Sequence, residues 1–144
     1  MASIDKVEKL LKNELAAAET YHQALEKFEE ENQRREIAYL EPIYEEHTEA
    51  VSELQEKIQQ MGGTPTSDSG LWGSWSEAVM SGAELLGKDA MLNALLAGEK
   101  SGLDDYEQAS QDPEMPSEVS ALIQAKFVTS QQENIRALNR LLSG

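Results

Sequence analysis

Between Met1 and Met61 the chain contains no glycine and a single proline, Pro42. So long a stretch without helix breakers, and without strand-like alternation of apolar and polar residues, can form little regular structure other than helix. It stops at Gly62-Gly63-Thr64-Pro65, a strong termination signal. β-Branched residues are sparse elsewhere too, so the whole chain is expected to be all-α.

Within this stretch the apolar residues divide into two stripes. Val7, Leu11, Ala18, Tyr21, Leu25 and Phe28 follow one another at the three- and four-residue steps of a helix packed along one seam, with Glu14 as the single polar member. This places helix 1 over about 3–30, with Ser3 as N-cap. The polar run from Glu30 to Arg35 holds the turn. Helix 2 follows over about 35–61, with seam Leu40, Tyr44, Val51, Leu54, Ile58 and Met61, broken by His47. Pro42 either kinks its first turns or marks its first helical residue.

The segment 62–88 has a different composition, with six of the nine glycines and both tryptophans, Trp72 and Trp75. It reads as a crossover spanning the length of a bundle, with a short helix over 74–86 and the tryptophans covering the core. The competing reading is an exposed apolar patch that marks a partner surface. Helix 3 is expected over about 89–111, N-capped by Asp89, with seam Leu92, Leu95, Gly102, Tyr106 and Ala109 broken by Glu99. After Asp112-Pro113-Glu114-Met115-Pro116, helix 4 is expected over about 117–142. Its seam is Ala121, Val128, Ile135, Leu138 and Leu142, with Gln124 and Gln131 as polar members. Short turns within each pair and one long link between pairs predict a single domain, 1–144, built as a four-helix bundle with one long crossover.

Each helix therefore carries a polar residue near the middle of its seam. Counted outward from the two turns at about 1.5 Å per residue, Glu14, His47, Glu99 and Gln131 reach the same level to within roughly one helical turn. Buried carboxylates are costly unless paired or bound to a cation. The cluster is consistent with a cation site of oxygen and nitrogen ligands, with a hydrogen-bonded network around His47, or with helix phases that turn these residues to solvent.

Several function classes lack a foothold. There is no cysteine, which excludes disulfides, thiolate zinc sites and cysteine nucleophiles. The net charge of −15 and the scatter of the 12 basic residues argue against nucleic-acid or anionic-membrane partners. No apolar run approaches the roughly 20 residues of a transmembrane helix, and Met1 to Leu10 lacks a signal-peptide core, so a cytoplasmic location is expected. No phosphate-binding loop or hydrolase triad pattern is present.

The run Leu10-Leu11-Lys12-Asn13-Glu14-Leu15-Ala16-Ala17-Ala18-Glu19-Thr20-Tyr21 resembles helix A of bacterioferritins and related ferritin-like proteins. That resemblance implies a ferritin-like fold, with Glu14 matching a ligand glutamate, Tyr21 its companion, and Glu99 the ligand glutamate of the third helix. The rest of the di-iron pattern is missing. A Glu-x-x-His motif is needed on two helices, but His47 and Ala50 occupy its positions on helix 2, and Val128 to Gln132 has neither residue type. The literal Glu19-x-x-His22 lies mostly off the seam and reads as a solvated pair.

Over nearly its whole length the chain resembles an uncharacterised bacterial ferritin-like family known only as a domain of unknown function. The similarity rests on Gly62-Gly63-Thr64-Pro65, Leu71-Trp72-Gly73-Ser74-Trp75, Gly98-Glu99 with Tyr106, and Ile135-Arg136-Ala137-Leu138. It implies the fold and carries no activity. The preferred expectation is a non-catalytic, structural or stress-related bundle with a degenerate di-iron site. The alternatives are a protein that binds iron, manganese or another divalent metal through Glu14, His47 and Glu99, with Tyr21, Tyr106 and Gln131 around them, and a protein-interaction module. A homodimer is the expected assembly, since ferritin-like domains often pair.

Overall fold

The computed structural model describes residues 2–66 and 87–144. Within them the chain is helical and contains no strand. Helix α1 spans Ala2–Glu30, α2 Arg34–Gln60 and α3 Lys88–Ser110. The fourth rod is composite: α4, Ser117–Leu122, runs through a π-helical turn, Ile123–Phe127, into α5, Val128–Ser143. The segment expected as crossover, its short helix over 74–86, and Trp72 and Trp75 fall mainly or wholly outside the described residues.

The turns follow from local chemistry. Between α1 and α2, Asn32 takes the left-handed conformation at φ 58°, which asparagine tolerates better than most residues. At the end of α2 the glycines close a Schellman motif. Gly62 sits at φ 86° and its N–H bonds to the Gln59 carbonyl, while the Gly63 N–H bonds to Ile58 at 3.0 Å. Two expected caps are corrected. Ser3 lies inside α1, and Gly87 rather than Asp89 stands at the N-cap of α3. Asp89 instead sits in the first turn, where a carboxylate complements the helix dipole. Pro42 is an exposed residue inside α2, well past its first turn.

Cross-rod contacts fix the directions. His22 meets Tyr44 while Glu14 meets His47, so α1 and α2 are antiparallel. Asn13 pairs with Asp105 and Tyr21 with Glu99, so α1 and α3 are antiparallel too. It follows that α2 and α3 run parallel. The fourth rod is antiparallel to both: Asn134 reaches Glu46 and Glu99, while Arg35 reaches the Leu141 carbonyl.

The core has two apolar halves. One gathers Tyr21, Phe28, Leu40, Leu92, Leu95 and Leu138 near the α1–α2 turn. The other gathers Leu11, Leu54, Ile58, Ile123 and Phe127 at the opposite end. Between them lies a layer of buried polar side chains.

The seams of helices 1 to 3 agree with expectation in most positions. Ala18, Tyr44, Val51, Met61, Gly102 and Ala109 are only half-buried, and on α2 the inward positions include Ile43 and Ala50. Helix 4 departs further. Ala121 and Gln124 are exposed, and Val128, Ile135 and Leu142 are half-buried. The buried series is Val119, Ile123, Phe127, Gln131, Asn134, Leu138 and Leu141. Its first three steps are all of four residues, more than an α-helix holds on one face. The π turn absorbs the surplus residue and re-phases the rod.

Candidate functional site

The polar layer forms where the four rods cross at mid-length. Glu14, His47, Glu99 and Gln131, the residues expected to share one level, are all at least 97 % buried. This removes the solvent-facing reading. Their arrangement is specific. His47 Nδ1 lies 2.7 Å from Glu14 Oε1, and Nε2 lies 2.7 Å from Glu99 Oε2. The imidazole is thus held edge to edge between two carboxylates from different helices. Burial opposes a charge on this ring, but Glu14 and Glu99 outweigh it and hold its pKa well above the usual histidine value. Both nitrogens then carry protons and both donate.

The shell around this triad supplies further donors. The Tyr21 hydroxyl donates to Glu99 Oε2 at 2.9 Å, and its ring stacks on His47 with centroids 5.3 Å apart. Burial, followed by the Glu99 charge, pushes the Tyr21 pKa well above 10, so the phenol stays protonated. Asn134 Nδ2 donates to Glu99 Oε1 at 3.0 Å and to Glu46 Oε1 at 2.8 Å. Gln131 Nε2 donates to the Glu99 backbone carbonyl at 3.1 Å. Gly102 permits this approach, since a Cβ there would stand 2.5 Å from Gln131 Nε2.

Two residues of this layer were not singled out from sequence. Glu46 precedes the seam residue His47 and so stands on a neighbouring face of the helical period, yet its carboxylate comes within 3.9 Å of His47 Nδ1. Burial raises its pKa to about 7, with Glu14 and Glu99 adding to the rise and His47 and Asn134 opposing it. Asn134 was hidden by the π turn, which shifts the inward face of helix 4. The available signal was the pair Gln131-x-x-Asn134, two amides three residues apart on one face.

Glu14, Glu46 and His47 each offer a donor atom within 4.8 Å of the others. That set is compatible with one cation. Glu99, expected as a partner ligand of Glu14, instead lies across the opposite edge of the imidazole. For two metals the set is short of ligands. Ala50 stands where a second imidazole would be needed on α2, and helix 4 presents Gln131 and Asn134. Neutral amide oxygens are weaker donors for iron than carboxylate or imidazole. The expected solvated Glu19–His22 pair does not form: His22 is exposed and faces Glu26 at 3.4 Å, while Glu19 accepts from the Gln23 amide.

A cavity of about 470 Å³ adjoins the layer between α1 and α3. Its walls are mostly small side chains, among them Ala16, Ala17, Ala94 and Ala97, and its floor includes Glu14, His47, Glu99, Tyr106 and Gln131. Tyr106 is 96 % buried and packs on Phe127 with ring centroids 5.1 Å apart. Burial, then the Glu14 charge, raises its pKa well above 10. Its hydroxyl and the Oε1 atom of Gln131 are buried without a hydrogen-bond partner among the described residues.

No described helix is long and apolar enough to cross a membrane. Comparison with curated proteins and with solved structures gave no match. Residues 2–112, covering α1 to α3 and the layer residues they carry, match the family described as "Domain of unknown function (DUF2383)". The chain belongs to that family.

Proposed function

We propose that this chain is a ferritin-like four-helix bundle, one domain over 1–144, that acts as a non-catalytic binding or structural protein. On this reading the position of a di-iron centre is filled by an internal cation, the His47 imidazolium. The observation that carries it is the pair of 2.7 Å contacts from the two ring nitrogens to Glu14 and Glu99. A ring engaged at both edges has no lone pair to give a metal. The parallel run of α2 and α3 and the family match to a domain of unknown function agree with this reading without specifying an activity.

A second reading has its own support. Glu14, Glu46 and His47 could hold a single divalent ion, iron or manganese among others, if His47 gave up its Nδ1 proton and released Glu14. Two measurements separate the readings. Nitrogen NMR of labelled protein should show both His47 ring nitrogens protonated at neutral pH. Elemental analysis after incubation of chelator-treated protein with Fe(II), Mn(II) or Zn(II) should show well below one ion per chain. Near-stoichiometric metal, abolished by both Glu14→Ala and Glu46→Ala, together with a deprotonated Nδ1, would overturn the imidazolium reading in favour of a mononuclear site.

A further inference from the structure

The cavity between α1 and α3 contains what a binding site for a small organic molecule needs. At about 470 Å³ it falls within the usual size range of ligand pockets. Its walls are largely alanines and glycines, which leave apolar room. At its floor, among the described residues, Gln131 Oε1 has no hydrogen-bond partner, and the Tyr106 hydroxyl stands beside the Glu14 carboxylate without a contact at normal hydrogen-bond distance. Orphaned polar atoms at this depth are rare, and each implies a strained group or an absent partner. Gln131 Oε1 can only accept a hydrogen bond, so its partner is a donor.

Charge narrows the choice. Glu14 and Glu99 line the floor, and among the described lining residues the only basic group is His47. Two carboxylates therefore face at most one positive charge. Asp105 adds another acid at the rim, offset by exposed Lys9. An anion would be repelled, and a monocation with hydrogen-bond donors would complete the balance.

We infer that this cavity binds a primary organic ammonium with a compact apolar body, its head between Gln131 Oε1, the Tyr106 hydroxyl oxygen and Glu14, and its body against the alanine walls. The three N–H donors of an ammonium match these three acceptors. The inference rests on the cavity and its orphaned atoms, and it holds whether or not His47 is an imidazolium.

The test uses the full chain, treated with chelator, and three probes of similar size. These are 2-phenylethylammonium, the neutral 2-phenylethanol and the anionic 3-phenylpropionate, titrated by calorimetry and ligand-observed NMR. The amine is expected to saturate one site, at least tenfold more tightly than the alcohol, with no binding of the acid. Ala97→Leu, which narrows the cavity from a position exposed at its wall, and Tyr106→Phe, which removes one acceptor, should each weaken the amine by tenfold or more. Unchanged melting temperatures would show that both variants remain folded. Equal affinity for amine and alcohol, amine binding unaffected by both variants, or no saturation at millimolar amine would overturn the inference and leave the cavity to water. None of these results changes the protonation of His47 in the free protein, so the two proposals fail separately.

Discussion

Replacing His47 by leucine should expose how the buried layer is balanced. Leucine is close in size and suits an apolar core, so the main change is electrostatic. Glu14 at 3 % exposure and Glu99 at 1 % are left buried without the cation between them. Removing one partner of a buried ion pair costs about 3–5 kcal/mol, because the remaining charge is neither solvated nor paired. At this chain length that lowers the melting temperature by about 10–20 °C. Glu99 keeps its hydrogen bonds from Tyr21 and Asn134, whereas Glu14 loses both of its contacts to the ring. Glu14 is therefore where the cost concentrates.

A second substitution makes this decisive. In the wild-type chain Glu14→Gln removes a charged hydrogen-bond partner of His47 and should destabilise by about 1.5–3 kcal/mol. In the His47→Leu background the same change removes an unpaired buried charge and should restore stability by about 1–3 kcal/mol. The sign reverses between backgrounds. Urea unfolding of the four proteins at pH 6, monitored by circular dichroism, reads the cycle directly. A loss below 1 kcal/mol for His47→Leu, or a Glu14→Gln effect of equal size and sign in both backgrounds, would refute the buried-triad account.

Two further outcomes follow from the same layer. Wild-type stability should decline from pH 6 to pH 9, because His47 and Glu46 both hold protons more tightly when folded; the His47 contribution is complete below the unfolded pKa of about 6.5 and is lost as pH rises through the raised folded value, and the Glu46 contribution is complete below about 4.5 and lost through about 7. Flat or rising stability over that window, by urea titration of metal-free protein, would contradict the assignment. Tyr106→Phe in the ligand-free protein should leave stability unchanged or raise it by about 1 kcal/mol, since among the described residues the lost hydroxyl makes no contact at normal hydrogen-bond distance and the ring keeps its contact with Phe127; a loss above 1 kcal/mol in thermal melts would mean that the hydroxyl is satisfied, with Glu14 the nearest acceptor.

Much of the fold was legible because its signals are local. The helix boundaries fell within a residue or two of those read from the glycine and proline punctuation, and the stripe in α1 located five of its six apolar seam members in the core. The caps were read less well. Ser3 and Asp89 have the right chemistry for an N-cap, but a helix can begin a residue or two before such a side chain with little local penalty. The directions of the rods depended on turn lengths, which are explicit in the sequence.

The site was legible only to the extent that α-helical periodicity held. Glu14, His47 and Glu99 interrupt regular stripes, and such an interruption shows wherever the period is constant. On helix 4 it is not constant. The step pattern Val119, Ile123, Phe127, Gln131 suits a π turn, and an α-helical template imposed on it selects Ala121, Gln124 and Val128 instead. That template hid Asn134, the residue that joins Glu99 to Glu46 and brings a third carboxylate to the layer. Which atoms meet was beyond the sequence for a different reason. Seam position fixes depth and level, but not whether two carboxylates converge on one point or grip a ring between them. Here they grip the ring, which favours a charge carried by the protein itself over a charge supplied by a metal.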